Sequence, residues 1–255
     1  MIRLAAVGDL HFSDDSEGRL RPHLEAAVGQ IDVLLLAGDL TYRGLPQEAR
    51  VLVRELRGLP FPVIAVLGNH DYHHGREAEI ATILSSDGIS VLEGECVTLT
   101  VGGAPLVIAG VKGFGGGFAG ACATEFGEPQ VKAFAAEARR SADSLREALL
   151  SASDGGFRVA LLHYAPVEGT LLGEHPGRWP FLGSYLLARA IDDGGAMLAL
   201  HGHAHAGSPE AVTPGGVPVR NVAQPVIRRP FAIIEVGAAQ EVVLGPREGE
   251  AEPQP

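Results

Sequence analysis

Five times in this chain a short apolar run ends directly in side chains that can bind a metal ion. Leu4-Ala5-Ala6-Val7 runs into Gly8-Asp9-Leu10-His11, Val33-Leu34-Leu35-Leu36-Ala37 into Gly38-Asp39, and Val63-Ile64-Ala65-Val66-Leu67 into Gly68-Asn69-His70-Asp71. Val159-Ala160-Leu161-Leu162 runs into His163, and Met197-Leu198-Ala199-Leu200 into His201-Gly202-His203-Ala204-His205. Short apolar runs bounded by turn residues read as buried strands. In α/β sheets, ligand sites gather beyond the carboxyl ends of strands, so five such ends can converge on one crevice. A glycine before a ligand lets the backbone turn sharply while staying close to an ion. Each motif alone is common by chance; their repetition in this order is the constraint.

Between these strands the sequence alternates with amphipathic stretches, the pattern of strands feeding helices. Helices are expected over Arg19–Gly29, with Leu20, Leu24, Ala27 and Val28 on one face, over Gln47–Arg57 after Pro46, and over Ala78–Leu84. Further helices are expected over Gln130–Leu150 and Gly183–Ile191. Cys96–Val101 and Leu106–Ala109 flank Gly102–Gly103, a hairpin signal. The glycine-dense segment Gly110–Gly120, holding Phe114 and Phe118, reads either as a flexible surface loop or as backbone brought close to a ligand. Ala211–Val212, Val217–Val222, Phe231–Val236 and Glu241–Leu244 read as antiparallel strands, with a turn at Pro214–Gly216. The expected fold class is α/β, with a single domain expected over residues 1–244 and a polar tail, expected to be disordered, over 245–255.

Charge narrows the partners. With 31 acidic against 20 basic residues the net charge is −11, which opposes binding to nucleic acid or to an anionic membrane surface. Cys96 and Cys122 are the only cysteines and have no close-spaced partner, so neither a disulfide framework nor a thiolate metal site is expected. No basic leader precedes the first apolar run and no stretch is long enough to span a bilayer, so the expected location is cytoplasmic.

The order D-x-H, G-D, G-N-H-D, H, G-H-x-H, from Asp9 to His205, resembles the calcineurin-like metallophosphoesterase superfamily, in particular its bacterial phosphodiesterase-like members. The resemblance implies a four-layered α/β sandwich of two mixed β-sheets flanked by helices, with two divalent metal ions in the loops at its crest. It implies that Asp9, His11 and His205 hold one ion, that Asn69, His163 and His203 hold the other, and that Asp39 bridges them. His70 would be the catalytic histidine beside the scissile phosphate, with Asp71 orienting it. Imidazole, carboxylate and amide donors without thiolate suit Mn, Fe or Zn, or a mixed pair. Two such ions about 3.5–4 Å apart can hold a bridging hydroxide for in-line attack on phosphorus. Two divalent ions, two aspartates and a hydroxide leave one positive charge, enough to attract a phosphate into an acidic protein.

The expected substrate is a small phosphodiester such as a cyclic nucleotide, with a phosphomonoester as the alternative within the same chemistry. A non-catalytic metal-binding scaffold is the alternative of a different class, and it would be free to lose His70 or a ligand, all of which are present. His201 reads as a strand-end histidine bonded to backbone. His73 and His74 read as a solvated pair that could instead line the entrance, and His23 and His175 as structural. Arg178, Trp179 and Phe181 read as either a hydrophobic plug or a site for a nucleobase. Tyr42 stands where many phosphodiesterase-like members carry a second aspartate. The oligomeric state is not legible.

Overall fold

A computed structural model describes residues 1–152 and 155–237 and the backbone of 243–244. The strands are β1 Ile2–Val7, β2 Val33–Ala37, β3 Val63–Val66, β4 Ser90–Val91, β5 Glu95–Val101, β6 Ala104–Val111, β7 Gly117–Phe118, β8 Ala121–Cys122, β9 Phe157–Leu162, β10 Leu198–His201, β11 Glu210–Val212, β12 Pro218–Asn221, β13 Ala232–Val236 and β14 Val243–Leu244. The helices are α1 Arg21–Ala26, α2 Pro46–Leu56, α3 Glu77–Ser86, α4 Pro129–Ser151, α5 Trp179–Leu182, α6 Tyr185–Asp193 and α7 Gln224–Ile227. The expected strand at 241–244 is described only at Val243–Leu244, and the expected tail lies outside the described residues.

One sheet runs in the order β14-β13-β1-β2-β3-β4 and the other in the order β11-β12-β10-β9-β6-β5. Both are mixed: β1, β2, β3 and β4 are parallel with β13 antiparallel to β1, and β6, β9, β10 and β12 are parallel with β5 and β11 antiparallel at the edges. Alternation along each strand explains the continuous apolar runs, because both faces are covered. Leu4, Ala6, Leu35 and Val66 face Ile108, Val159, Leu161 and Leu200 between the sheets. Ala5, Val7, Leu34 and Leu36 face Leu24, Leu52 and Ile80 of the helices on one outer side. Ala109, Ala160, Leu162 and Ala199 face Leu145, Leu149, Leu187 and Ile191 of α4 and α6 on the other. This is the four-layered sandwich expected. No helix among the described residues is long and apolar enough to cross a membrane.

The first helix is shorter than its periodicity suggests. It covers only Arg21–Ala26, and Val28, expected on the buried face, is 47% exposed. Its start is capped from outside: the Glu55 carboxylate of α2 accepts from the N–H groups of Gly18 at 2.6 Å, Leu20 at 2.8 Å and Arg21 at 2.7 Å. The hairpin forms as read, with Val101 opposite Ala104 and both Gly102 and Gly103 at positive φ. The strand over Pro218–Asn221 departs from expectation: it is antiparallel to β11 but parallel to β10. Periodicity reveals a strand and not its direction, which here follows from β11 crossing back to the edge. The Gly110–Phe118 stretch is mostly buried, so it is not a loose surface loop.

Candidate metal centre

The parallel ladders continue past the strand ends and stitch the crest loops together. Asp9 N–H donates to Gly38 O at 2.9 Å, His11 N–H to Asp39 O at 2.9 Å, Gly8 N–H to Val222 O at 2.8 Å and Gly202 N–H to His163 O at 3.2 Å. Three of the loops leave β1, β2 and β3 of one sheet; the other two leave β9 and β10 of the other. Donor atoms of Asp9, His11 and His205 lie within 4.8 Å of one another, and so do those of Asp39, His163 and His203. Asp39 also groups with His11 and His70 at the same limit, which places it between the two clusters. The amide oxygen of Asn69 is 2.9 Å from His163 Nε2 and completes the second cluster.

Tautomers can be read from the far side of each ring. His163 Nδ1–H donates to Ala37 O at 2.9 Å, so its Nε2 lone pair points inward, toward Asn69 Oδ1 at 2.9 Å and Asp39 Oδ1 at 3.2 Å. Three electron-pair donors thus converge with no proton between them, an arrangement that a cation satisfies. His203 Nε2–H donates to Phe181 O at 3.3 Å and leaves Nδ1 for the centre. Burial pushes His11 down to about 4 and His203 down to about 3, keeping both imidazoles neutral as ligation requires. Burial, with the nearby Asp9 charge, raises Asp39 above the usual carboxylate range. Burial acts the same way on Asp9, but hydrogen bonds from His205 and the His203 N–H bring it below that range. The donor set fits two divalent ions.

Backbone strain marks the same residues. Outside glycine, φ is positive at Asp9 (60°), His11 (46°), Asp39 (51°) and His203 (68°), and otherwise only at Arg228 among the described residues. Such conformations cost about 1–3 kcal/mol each and persist where the surroundings enforce them. The glycines contribute mainly space. A Cβ on Gly68 would lie 2.1 Å from Asp39 Oδ1, and one on Gly202 would lie 2.4 Å from Asp9 Oδ2. They are small because an aspartate carboxylate from a neighbouring strand end occupies the position of their side chain.

A model of the family described as Calcineurin-like phosphoesterase matches residues 2–207. The chain belongs to that family. The calcineurin-like phosphoesterases are dimetal-dependent, and this one is a metal-dependent phosphoester hydrolase. Solved structures share the fold at low identity. Phosphopantetheinyl hydrolase of Mycobacterium tuberculosis is 18% identical with a TM-score of 0.64, over 88% of this chain and 90% of that one. A protein of Thermus thermophilus is 17% identical with a TM-score of 0.62, over 96% and 98%. A putative 5'-nucleotidase of Staphylococcus aureus is 14% identical with a TM-score of 0.58, over 96% of this chain and 52% of that one. No curated protein matches the sequence.

Within this phosphoesterase, Asp71 departs from its expected part. Its buried carboxylate accepts from Thr41 N at 2.8 Å, Thr41 Oγ1 at 2.6 Å, Gly68 N at 2.7 Å and Leu40 N at 3.1 Å, fastening the second crest loop to the third. Burial and the Asp39 charge push it up to about 6. The His70 ring is oriented instead by the backbone of Tyr42, whose carbonyl accepts from Nδ1 at 2.7 Å. His70 Nε2 then faces the centre, 3.9 Å from Asp39 Oδ2. A peptide carbonyl carries no residue identity, so nothing in the sequence points to it. Asn221 also escaped sequence reading: its buried amide donates to Ala204 O at 2.8 Å and fixes the turn between His203 and His205.

His201, His73 and His74 lie as read, whereas His23, read as structural, is exposed on α1. His201 is fully buried, bonded to Gly202 O at 2.7 Å and Thr170 Oγ1 at 2.9 Å. His73 and His74 are exposed, and His74 bonds Arg43 O at 2.6 Å. Trp179 is a plug whose Nε1–H donates to Glu174 O at 3.2 Å, whereas Phe181 is exposed beside His203. A cleft of about 740 Å³ lined by Phe118, Val167, Tyr185 and Arg189 contains none of the expected ligands.

Proposed function

We propose that the protein hydrolyses a small phosphodiester, a cyclic nucleotide or a diester of similar size. Asp9, His11 and His205 hold one divalent ion in this reading, Asn69, His163 and His203 hold the other, and Asp39 reaches both. The observation that carries it is the convergence of these side chains from both sheets into clusters that share Asp39. Manganese, iron or zinc suits a set of imidazole, carboxylate and amide oxygen. Two such ions, when bound, supply charge neutralisation at the phosphate and an activated water. His70, with Nδ1–H committed to Tyr42 O, presents Nε2 to the reacting group. Protonated there, it stabilises charge on the phosphoryl oxygens or donates to the departing oxygen. Phe181, exposed beside His203, gives a second ester arm a surface to lie on.

The test combines metal analysis with turnover of bis(p-nitrophenyl) phosphate and p-nitrophenyl phosphate by protein loaded with Mn, Fe, Zn or Ni. Two ions per chain and preference for the diester are expected. Preference for the monoester overturns the substrate reading, and no turnover with any of the four ions favours a scaffold. His70→Ala should lower kcat by about 10²–10⁴-fold at unchanged metal content, the range for a positioned acid. Full turnover in that variant refutes the role given to His70.

A further inference from the structure

The glycine-dense segment after β6 has a use that the metal centre leaves unexplained. Lys112 at its start is 8% exposed, and its Nζ donates to Gly113 O at 3.2 Å. The ammonium lies over three rings, with centroids of Tyr72 at 4.9 Å, Phe114 at 5.0 Å and Tyr164 at 5.3 Å. Among the described residues no carboxylate lies within ion-pair distance of it; burial pulls its pKa down, while Glu93, Glu137 and the central Asp39 attract it from farther away and Arg140 repels it. Burying an unpaired ammonium is costly, and cation–π contact offsets part of that cost.

The collar borders the metal centre. The Tyr164 ring is 4.4 Å from the His203 ring, and from Tyr164 a row of rings leads outward: Phe114 at 5.9 Å, then Phe134 at 5.1 Å from Phe114, then Phe181 at 6.3 Å from Phe134. Phe181, at the outer end, is 63% exposed, and its carbonyl holds His203. The glycines keep this row closed. A Cβ at Gly115 would lie 2.7 Å from Pro180 O and 3.3 Å from the Phe134 ring, and Gly113 adopts φ of +81° against Tyr164. A row of tilted rings that opens to solvent at Phe181, and a cation with no ion-pair partner among the described residues, therefore adjoin the phosphate-binding region on its His203 side.

We infer that the Tyr164–Phe181 row and Lys112 form a subsite for the ester arm of the substrate, the rings taking a planar ring and Lys112 a second anionic group. This rests on the phosphodiester reading above. Lys112 is a specificity residue, one step removed from the reacting phosphorus.

Two chromogenic diesters with the same reacting group separate the effect: the p-nitrophenyl ester of thymidine 5'-phosphate, and the same compound carrying a 3'-phosphate. In the wild-type protein kcat/KM should be about tenfold higher for the 3'-phosphorylated substrate, chiefly through KM. Lys112→Met should bring the ratio close to one, and Lys112→Arg should restore part of it. Phe181→Ala should lower kcat/KM for both nucleoside esters about tenfold relative to methyl p-nitrophenyl phosphate, in line with base–aromatic stacking. In thermal shift, thymidine 3',5'-bisphosphate should raise Tm more than thymidine 5'-phosphate in wild type and equally in Lys112→Met. A wild-type ratio near one overturns the proposal whether or not the variants fold. So does an unchanged ratio in Lys112→Met. Absence of bis(p-nitrophenyl) phosphate turnover by the wild-type protein would instead sink the phosphodiester reading, and the thermal-shift comparison would then decide the subsite alone.

Discussion

Asp71→Asn preserves shape and removes one acceptor, so its cost can be worked from the four bonds the carboxylate receives. Placed where Oδ2 lies, the amide nitrogen would meet the N–H groups of Gly68 and Leu40, neither of which can turn away. Placed where Oδ1 lies, it would meet Thr41 N–H and the Thr41 hydroxyl, and the hydroxyl can rotate to accept. The second orientation is cheaper and leaves one buried donor, Thr41 N–H, without a partner. That orphan costs about 1–3 kcal/mol, and weakening the retained bonds from a charged to a neutral acceptor adds about 1 kcal/mol, while removing a charge that burial and Asp39 disfavour offsets part of both. The expected loss is about 1–2 kcal/mol, a measurable part of the roughly 5–15 kcal/mol that folded domains possess. Urea unfolding should show a lower midpoint with an unchanged slope. Thr41→Val should cost about 1 kcal/mol, and the double variant less than the sum, because both changes act on one network. Metal content should fall as well, since the loops carrying Asp39 and Asn69 lose their fastening. An unchanged midpoint with lowered kcat and full metal occupancy would refute this account and return Asp71 to orienting His70.

Gly68→Ala should abolish binding at the shared carboxylate, because its Cβ would sit 2.1 Å from Asp39 Oδ1; metal analysis showing two bound ions would contradict this. Glu55→Gln should destabilise by about 1–3 kcal/mol at neutral pH by weakening the cap of α1. Burial alone would raise the Glu55 pKa, but the three N–H donors leave it below the ordinary value, so its stabilisation is present above the unfolded pKa near 4.3 and vanishes as pH falls through the lower folded value. The gap between wild type and Glu55→Gln in urea midpoint should therefore close below about pH 4, and a gap independent of pH would disprove the role of the charge. Leu145→Ala, at a fully buried position of α4, should cost about 2–5 kcal/mol in urea unfolding while leaving kcat of the folded fraction intact.

Much of the scaffold was legible because the chain repeats one local pattern. The runs ending at Val7, Ala37 and Leu162 carry apolar residues on both faces, and only a strand covered on both sides needs that. Helix limits were less legible: α1 begins at Arg21 because its start is capped by Glu55, more than thirty residues away, which no local window contains. The direction of β12 was hidden for a similar reason, since parallel and antiparallel edges share one alternation. Asp71 was misassigned because sequence adjacency to His70 suggested contact, whereas its side chain turns toward Leu40 and Thr41 on another loop.

By itself the sequence determined which donors exist, in what order they come, and that each follows a strand. Residue type and short-range periodicity are local properties, and they suffice for that. The tertiary structure decided what those donors do: which of them meet, that Asp39 lies between two clusters, and that His163 Nε2 and His70 Nε2 face inward because carbonyls of Ala37 and Tyr42 hold the other nitrogen. It also imposed positive φ on Asp9, His11, Asp39 and His203. Distances between strand ends depend on how two sheets pair, twist and pack over a shared core, and backbone carbonyls look alike in every residue. For both reasons the candidate ligands could be read from the chain, while their geometry had to come from the fold.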